Sequence, residues 1–95
     1  MFLVAVMDGA IAGTVMAGYE GHRGWINYLA TSPEHRRRGI ARRLMQHAER
    51  LLKEAGCPKM NLQVRAGNAA AVAFYRAIGF NVDEVVSMGK RLEDD

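Results

Sequence analysis

Asp8-Gly9 stands between two apolar runs, Phe2 to Met7 and Ile11 to Tyr19. An Asp-Gly pair accepts the positive φ angles of the tight turn that joins antiparallel strands, so the chain opens as a β-hairpin. In the first run Phe2, Val4 and Val6 alternate onto one face. Gly21-His22-Arg23-Gly24 makes a second turn, and Trp25 to Thr31 reads as a third strand. Three strands in succession predict an antiparallel meander before any helix forms.

The period then changes. Ser32-Pro33-Glu34 marks a helix entry, with Ser32 as the expected cap. Ile40, Leu44, Ala48, Leu51, Leu52 and Ala55 recur at helical spacing, Gly56 suits the left-handed residue that ends a helix, and Pro58 blocks continuation. Met60 to Arg65 alternates again and predicts a fourth strand. Gly67-Asn68 opens a second helix that runs to Ile78, with Phe74 turned into the core, and Gly79 ends it. A last strand is expected from Phe80 through Val82, Val85, Val86 and Met88, and Glu93-Asp94-Asp95 should fray. The order β-β-β-α-β-α-β predicts one α/β domain over residues 1–95, of the α+β kind. Its sheet should be mixed and mostly antiparallel, with a strand–helix–strand crossover.

Five of the 13 basic residues lie between Arg36 and Arg43, and the net charge of +3 is otherwise modest. The excess is therefore a local site and not a general coat for nucleic acid. Cys57 is the single cysteine, which excludes an internal disulfide and a cysteine-rich metal site. The histidines have no carboxylate or cysteine at metal-ligand spacing, so no metal is expected. No apolar run reaches the length of a membrane span, and the Phe2–Met7 run has no basic leader. A cytoplasmic protein without membrane contact is the expectation.

Arg36-Arg37-Arg38-Gly39-Ile40-Ala41 precedes the amphipathic helix directly. The amides at a helix start lack intrahelical acceptors, and the helix dipole adds positive potential there. Gly39 lets a ligand approach the backbone, and arginine forks suit phosphate oxygens. The residues fit a phosphate-bearing ligand and equally a solvated basic helix start. Neither G-x-x-x-x-G-K-[ST] nor G-x-G-x-x-G is present. Asn68 and Tyr75 lie seven residues apart, about two helical turns, and so share a face. Asn68 suits a helix cap, and Tyr75 suits an amphipathic residue at a core edge.

The run Arg36 to Ala41 resembles the (Q/R)-x-x-G-x-(G/A) acetyl-coenzyme A signature of the GNAT superfamily of N-acetyltransferases. Leu29-Ala30-Thr31-Ser32-Pro33-Glu34 is similar to the strand and turn that lead into that signature. Asn68, Ala71, Phe74-Tyr75 and Gly79-Phe80 resemble the later N-x-x-A-x-x-F-Y-x-x-x-G-F block. Gly18 to Gly24 and Gly89-Lys90-Arg91-Leu92 look like a small bacterial subgroup. The resemblance implies a cofactor, acetyl-CoA, whose pyrophosphate sits on the amides of Arg37, Arg38, Gly39, Ile40 and Ala41, with Arg36 and Arg42 beside it. It implies that the pantetheine arm pairs with the backbone of Leu29, Ala30 and Thr31, where splayed amides hold the thioester carbonyl. Asn68 would bond the pantetheine, and Tyr75 would protonate the leaving thiolate.

Two departures from the family accompany this. Where many members carry a glutamate, this chain has Asn27 and Tyr28, which leaves Glu20 or His22 acting through water, or loss of the proton to solvent. Members usually begin with a further strand and one or two helices before Phe2, so the resemblance implies an N-terminally shortened fold. Phe2–Met7 is then an exposed edge strand, expected to pair in a homodimer. The favoured reading is direct acetyl transfer to a primary amine of a small molecule, peptide or protein in a ternary complex. The alternatives are an acetyl-CoA-binding module with weak or lost catalysis, and a nucleic-acid-binding domain using the arginine cluster.

Overall fold

The computed structural model describes residues 1–32 and 39–93. The element order is β1 (Phe2–Met7), β2 (Ala10–Tyr19), β3 (Gly24–Thr31), α1 (Ile40–Glu54), β4 (Met60–Asn61) and α2 (Ala69–Ala77). The sheet runs β1-β2-β3-β4; the first three strands are antiparallel and β4 lies parallel to β3. Asp8 and Gly9 both take positive φ, 51° and 79°, as the two-residue turn requires.

Two register shifts divide the meander. Ala5 faces Gly13 while Val6 faces Ile11, so Ala12 is the extra residue of β2. Met16 faces Tyr28 while Ala17 faces Ile26, so Asn27 is the extra residue of β3. Such bulges bend a strand and raise its local twist.

The core lies between the sheet and α1. Val15, Ala17 and Ile26 meet Ile40, Leu44, Met45 and Ala48, all of them buried. The i, i+4, i+8 spacing of Ile40, Leu44 and Ala48 aims one helix stripe at β2. Gly13 permits the contact, since a Cβ there would stand 2.9 Å from Ile40 Cγ2 and 3.0 Å from Leu44 Cδ1. Gly56, at φ 87°, ends the helix as expected. None of the 24 residues of β1, β2 and β3 is charged. The sheet therefore carries no charge on either face, and α1 covers one of them.

Three expectations are corrected. Among the described residues the helix starts later than the Ser32-Pro33-Glu34 entry expected. Gly39 is the N-cap of α1, and the Ser32 amide donates to Ala12 O at 2.7 Å, extending the sheet instead. Pro33 and Glu34 lie outside the described residues. The fourth strand contracts from Met60–Arg65 to Met60–Asn61, because only Gly24 and Trp25 pair with it. The last strand is absent among the described residues. Alternating valines supply no ladder partner, and the segment meets β4 and the residues flanking it through side chains: Lys59 Nζ and Asn61 Nδ2 donate to Asp83, and Gln63 Nε2 donates to Ser87 Oγ. Val82, Val85, Val86 and Met88 stay exposed. The tail expected to fray lies partly outside the described residues, at Asp94 and Asp95.

Candidate functional site

After Trp25↔Asn61 the strands part. β3 continues for six residues to Thr31 while the chain beyond Asn61 turns away. Asn27, the extra residue of β3, sits where they separate. A cavity of about 340 Å³ opens in the wedge. Ile26 to Leu29 form one wall, Leu62 to Arg65 the other, and Asn68, Ala71 and Tyr75 of α2 close it. On this side β3 has no ladder partner past Trp25 among the described residues, which leaves its backbone able to pair with an extended ligand.

The start of α1 stands at the Thr31 end of this wedge, because Ile40 packs over Gly13 and Gly13 pairs with Thr31. Gly39 adopts φ 73°, a left-handed conformation that a side chain strains. A Cβ at Gly39 would meet nothing within 4 Å among the described residues. The first helix amide bonded within the helix is that of Arg43, to Gly39 O at 3.0 Å. The amides of Gly39, Ile40, Ala41 and Arg42 precede it, no side chain among the described residues caps them, and the first turn holds no acidic residue. Arg42 is exposed beside them. Arg43 faces a different groove of about 310 Å³ between β1 and α1, which it lines with His47. Arg36, Arg37 and Arg38, expected beside the pyrophosphate, lie outside the described residues.

Asn68 is the N-cap of α2, its Oδ1 accepting from the Ala71 amide at 3.1 Å, and it also borders the cavity. Tyr75 lies on the same helix face and borders the cavity too. Its ring meets Phe74 and Phe80 edge-on, with centroids 5.2 and 5.6 Å away. Burial pushes its phenol above the ordinary value of 10.0. The expected placement of Phe74 in the core is reversed, since Tyr75, Ile78 and Phe80 are the residues packed against the core cluster.

Leu29 lines the wedge, and Ala30 and Thr31 continue β3 beyond it, half-buried. Glu20 and His22 are not brought to the cavity. They sit in the β2–β3 turn, at the end of β3 opposite the start of α1. Glu20 Oε1 accepts from the amides of His22 at 3.1 Å and Arg23 at 2.6 Å, so this carboxylate organises its own turn. Cys57 packs under Gly24 and donates to Lys59 O at 3.2 Å. Among the described residues no three of His, Cys, Asp or Glu are grouped to hold a metal ion. No described helix is long and apolar enough to cross a membrane.

Gln63 and Arg65 border the cavity without having been singled out from the sequence. They belong to an expected strand, and only its departure from β3 exposes them. Gly13 was also missed as a support for the site. Its signal is a glycine inside a strand, which marks close approach of another element.

A chain with this wedge and helix start has known relatives. The model of the Acetyltransferase (GNAT) family matches residues 1–80. An acetyltransferase of Yersinia enterocolitica is 44% identical over 92 residues, which is 97% of this chain and 65% of that protein. The chain thus spans about two thirds of the length of such relatives. The ribosomal-protein-S18-alanine N-acetyltransferase of Escherichia coli superposes with a TM-score of 0.79 at 30% identity, over 85% of this chain and 52% of that one. An aminoglycoside N-acetyltransferase in complex with CoA superposes with a TM-score of 0.80 at 23% identity, over 95% of this chain and 75% of that one.

Proposed function

The chain belongs to the GNAT acetyltransferase family, and on that premise we propose that it is an acetyl-CoA-dependent N-acetyltransferase acting on a primary amine by direct attack in a ternary complex. The observation that carries this reading is the wedge between β3 and the chain beyond β4, which Tyr75 borders and at whose Thr31 end α1 starts. The residues present fit acetyl-CoA. Amides at Gly39, Ile40, Ala41 and Arg42, without partners among the described residues, suit its pyrophosphate, and the edge of β3 that β4 leaves unpaired at Leu29, Ala30 and Thr31 suits its amide-bearing arm. Arg36, Arg37 and Arg38 complete the phosphate grip in this reading.

Bound acetyl-CoA supplies the activated acetyl thioester. Tyr75 holds a proton on its phenol at neutral pH, and partial burial keeps it there. Asn68 fixes the first turn of α2 with Oδ1 and keeps Nδ2 for the ligand. With Glu20 and His22 at the other end of β3, loss of the amine proton to solvent fits the geometry better than a water relay from either. Cys57, at the far end of α1, is not placed to act as a nucleophile.

The acceptor is a small amine, a peptide or a protein, as the superposed enzymes between them illustrate. The working form in this reading is a cytoplasmic homodimer to which β1 contributes. Calorimetry tests the cofactor directly: CoA should bind more tightly than a nucleic-acid polyanion of equal charge, and the reverse order would mean that the basic cluster serves nucleic acid. Acetyl transfer to a panel of amines and peptides separates an enzyme from a binding module.

A further inference from the structure

The bulge at Asn27 parts β3 from the second wall of the wedge. That wall, Leu62 to Arg65, has no ladder partner among the described residues. Leu62 packs against the core, and a row of polar side chains supplies the other anchorage. Lys59, Asn61 and Gln63 are two residues apart, so they share one side of the extended chain. All three bond to one segment beyond α2. Lys59 Nζ donates to Asp83 Oδ1 at 3.0 Å and Oδ2 at 3.1 Å, and Asn61 Nδ2 donates to Asp83 Oδ2 at 2.9 Å. Gln63 Nε2 donates to Ser87 Oγ at 2.9 Å. Asn61 is the last residue paired with β3, and Gln63 already borders the cavity. The row therefore crosses the point at which the strands part.

We propose that Asp83 and Ser87 are positioning residues for the cofactor: as a splint across the fork, they fix the wall of the wedge that β3 releases. The proposal rests on the reading of the wedge as the seat of CoA. Neither residue borders the cavity, so each acts through Asn61 or Gln63.

The bond from Asn61 matters most. Its Oδ1 is buried without a hydrogen-bond partner among the described residues, so the bond from Nδ2 to Asp83 is what orients the amide. A buried carbonyl oxygen without a donor costs free energy, and a bond to an ionised carboxylate helps to offset it. The ion pair with Lys59 is different. Its side chains are 50% and 33% exposed, and an exposed pair contributes little by itself. Its part is to hold the carboxylate at Asn61, with the charge of Arg23 in support. A wall ordered in advance spares the ligand the cost of ordering it.

Calorimetry with CoA on the whole chain tests the splint. Asp83→Ala should weaken binding about 10-fold, with an unchanged circular dichroism spectrum. The sign is diagnostic. CoA is an anion, so loss of a carboxylate should by charge alone tighten its binding. Ser87→Ala should weaken binding about 3-fold, and Ser87→Thr, which keeps the hydroxyl, should restore it. Glu84→Gln removes a charge from the same segment outside the splint and should not weaken binding. In acetyl transfer by Asp83→Ala, KM for acetyl-CoA should rise by more than kcat falls. Amide exchange needs no ligand: in Asp83→Ala it should rise at Asn61 while α1 stays protected. Affinity in Asp83→Ala equal to or above that of the wild type overturns the proposal. An equal loss in Glu84→Gln overturns it as well, by tracing the effect to the charge of the segment. A wild type that does not bind CoA overturns the cofactor reading, and with it a role toward CoA. Exchange then decides whether Asp83 holds the wall, and unchanged exchange at Asn61 overturns that too.

Discussion

Tyr75 and Gly13 bear on the site in opposite ways. Tyr75 touches the cavity and carries the proton. Tyr75→Phe keeps the edge-on contacts with Phe74 and Phe80 and removes only the hydroxyl. We expect kcat to fall about 10²–10⁴-fold with CoA affinity unchanged by calorimetry; equal turnover would assign the proton to water. Gly13 touches no ligand. A methyl there must displace Ile40 and Leu44 or press on Ala30 O at 3.0 Å. Gly13→Ala should cost about 1–3 kcal/mol of stability in denaturant unfolding, and it should weaken CoA binding because Ile40 begins the helix that presents the amides. Gly39→Glu should abolish CoA binding for two reasons, the strain of a side chain at φ 73° and the charge set before the amides. Unchanged affinity would place the phosphate site elsewhere.

Elements are legible where a local signal and a tertiary partner agree. Asp8-Gly9 dictates its turn by backbone sterics, and α1 shows its apolar stripe, its glycine stop and its proline in sequence. Asn68 declares the start of α2 as a cap. Asn68→Ala should cost about 1 kcal/mol, and it should raise amide exchange in α2 before the rest of the molecule, since none of the helix's residues is fully buried. Strands without a partner are not legible. Met60–Arg65 and Phe80–Met88 alternate convincingly, yet a strand exists only with a neighbour, and alternation says nothing about where two strands part. The C-terminal segment is held instead by Asp83. Hydrogen bonding from Lys59 holds its carboxyl below the usual range, helped by Asn61 and by the charges of Lys59 and Arg23. A depressed folded-state pKa gives stability that is present above the ordinary carboxylate range and lost as pH falls. Acid should therefore free the segment around Asp83 before it unfolds α1, which residue-resolved exchange at two pH values would show.

The whole molecule has the opposite sensitivity at the alkaline end. Tyr75 titrates higher when folded than when unfolded, so its contribution is complete below pH 10 and is lost as pH rises through the folded value. Thermal unfolding should show a stability decline above pH 10 that Tyr75→Phe lessens. At this scale the sequence reveals the family blocks, but not the uncharged outer face. That face emerges only when the pairing of β1, β2 and β3 shows which alternate residues α1 leaves uncovered. Asn27 joins the scales. Because it is surplus to the pairing of Met16 with Tyr28 and Ala17 with Ile26, removing it would leave every neighbouring side chain on its own side of the sheet. What would vanish is the bend, and with it the reason for β4 to stop at Asn61. A chain shorter by that one asparagine could zip β3 to Leu62 and beyond, gaining hydrogen bonds and closing the room for a ligand. By this logic the cavity is a matter of chain length more than of side-chain identity: position 27 should tolerate many replacements and no deletion.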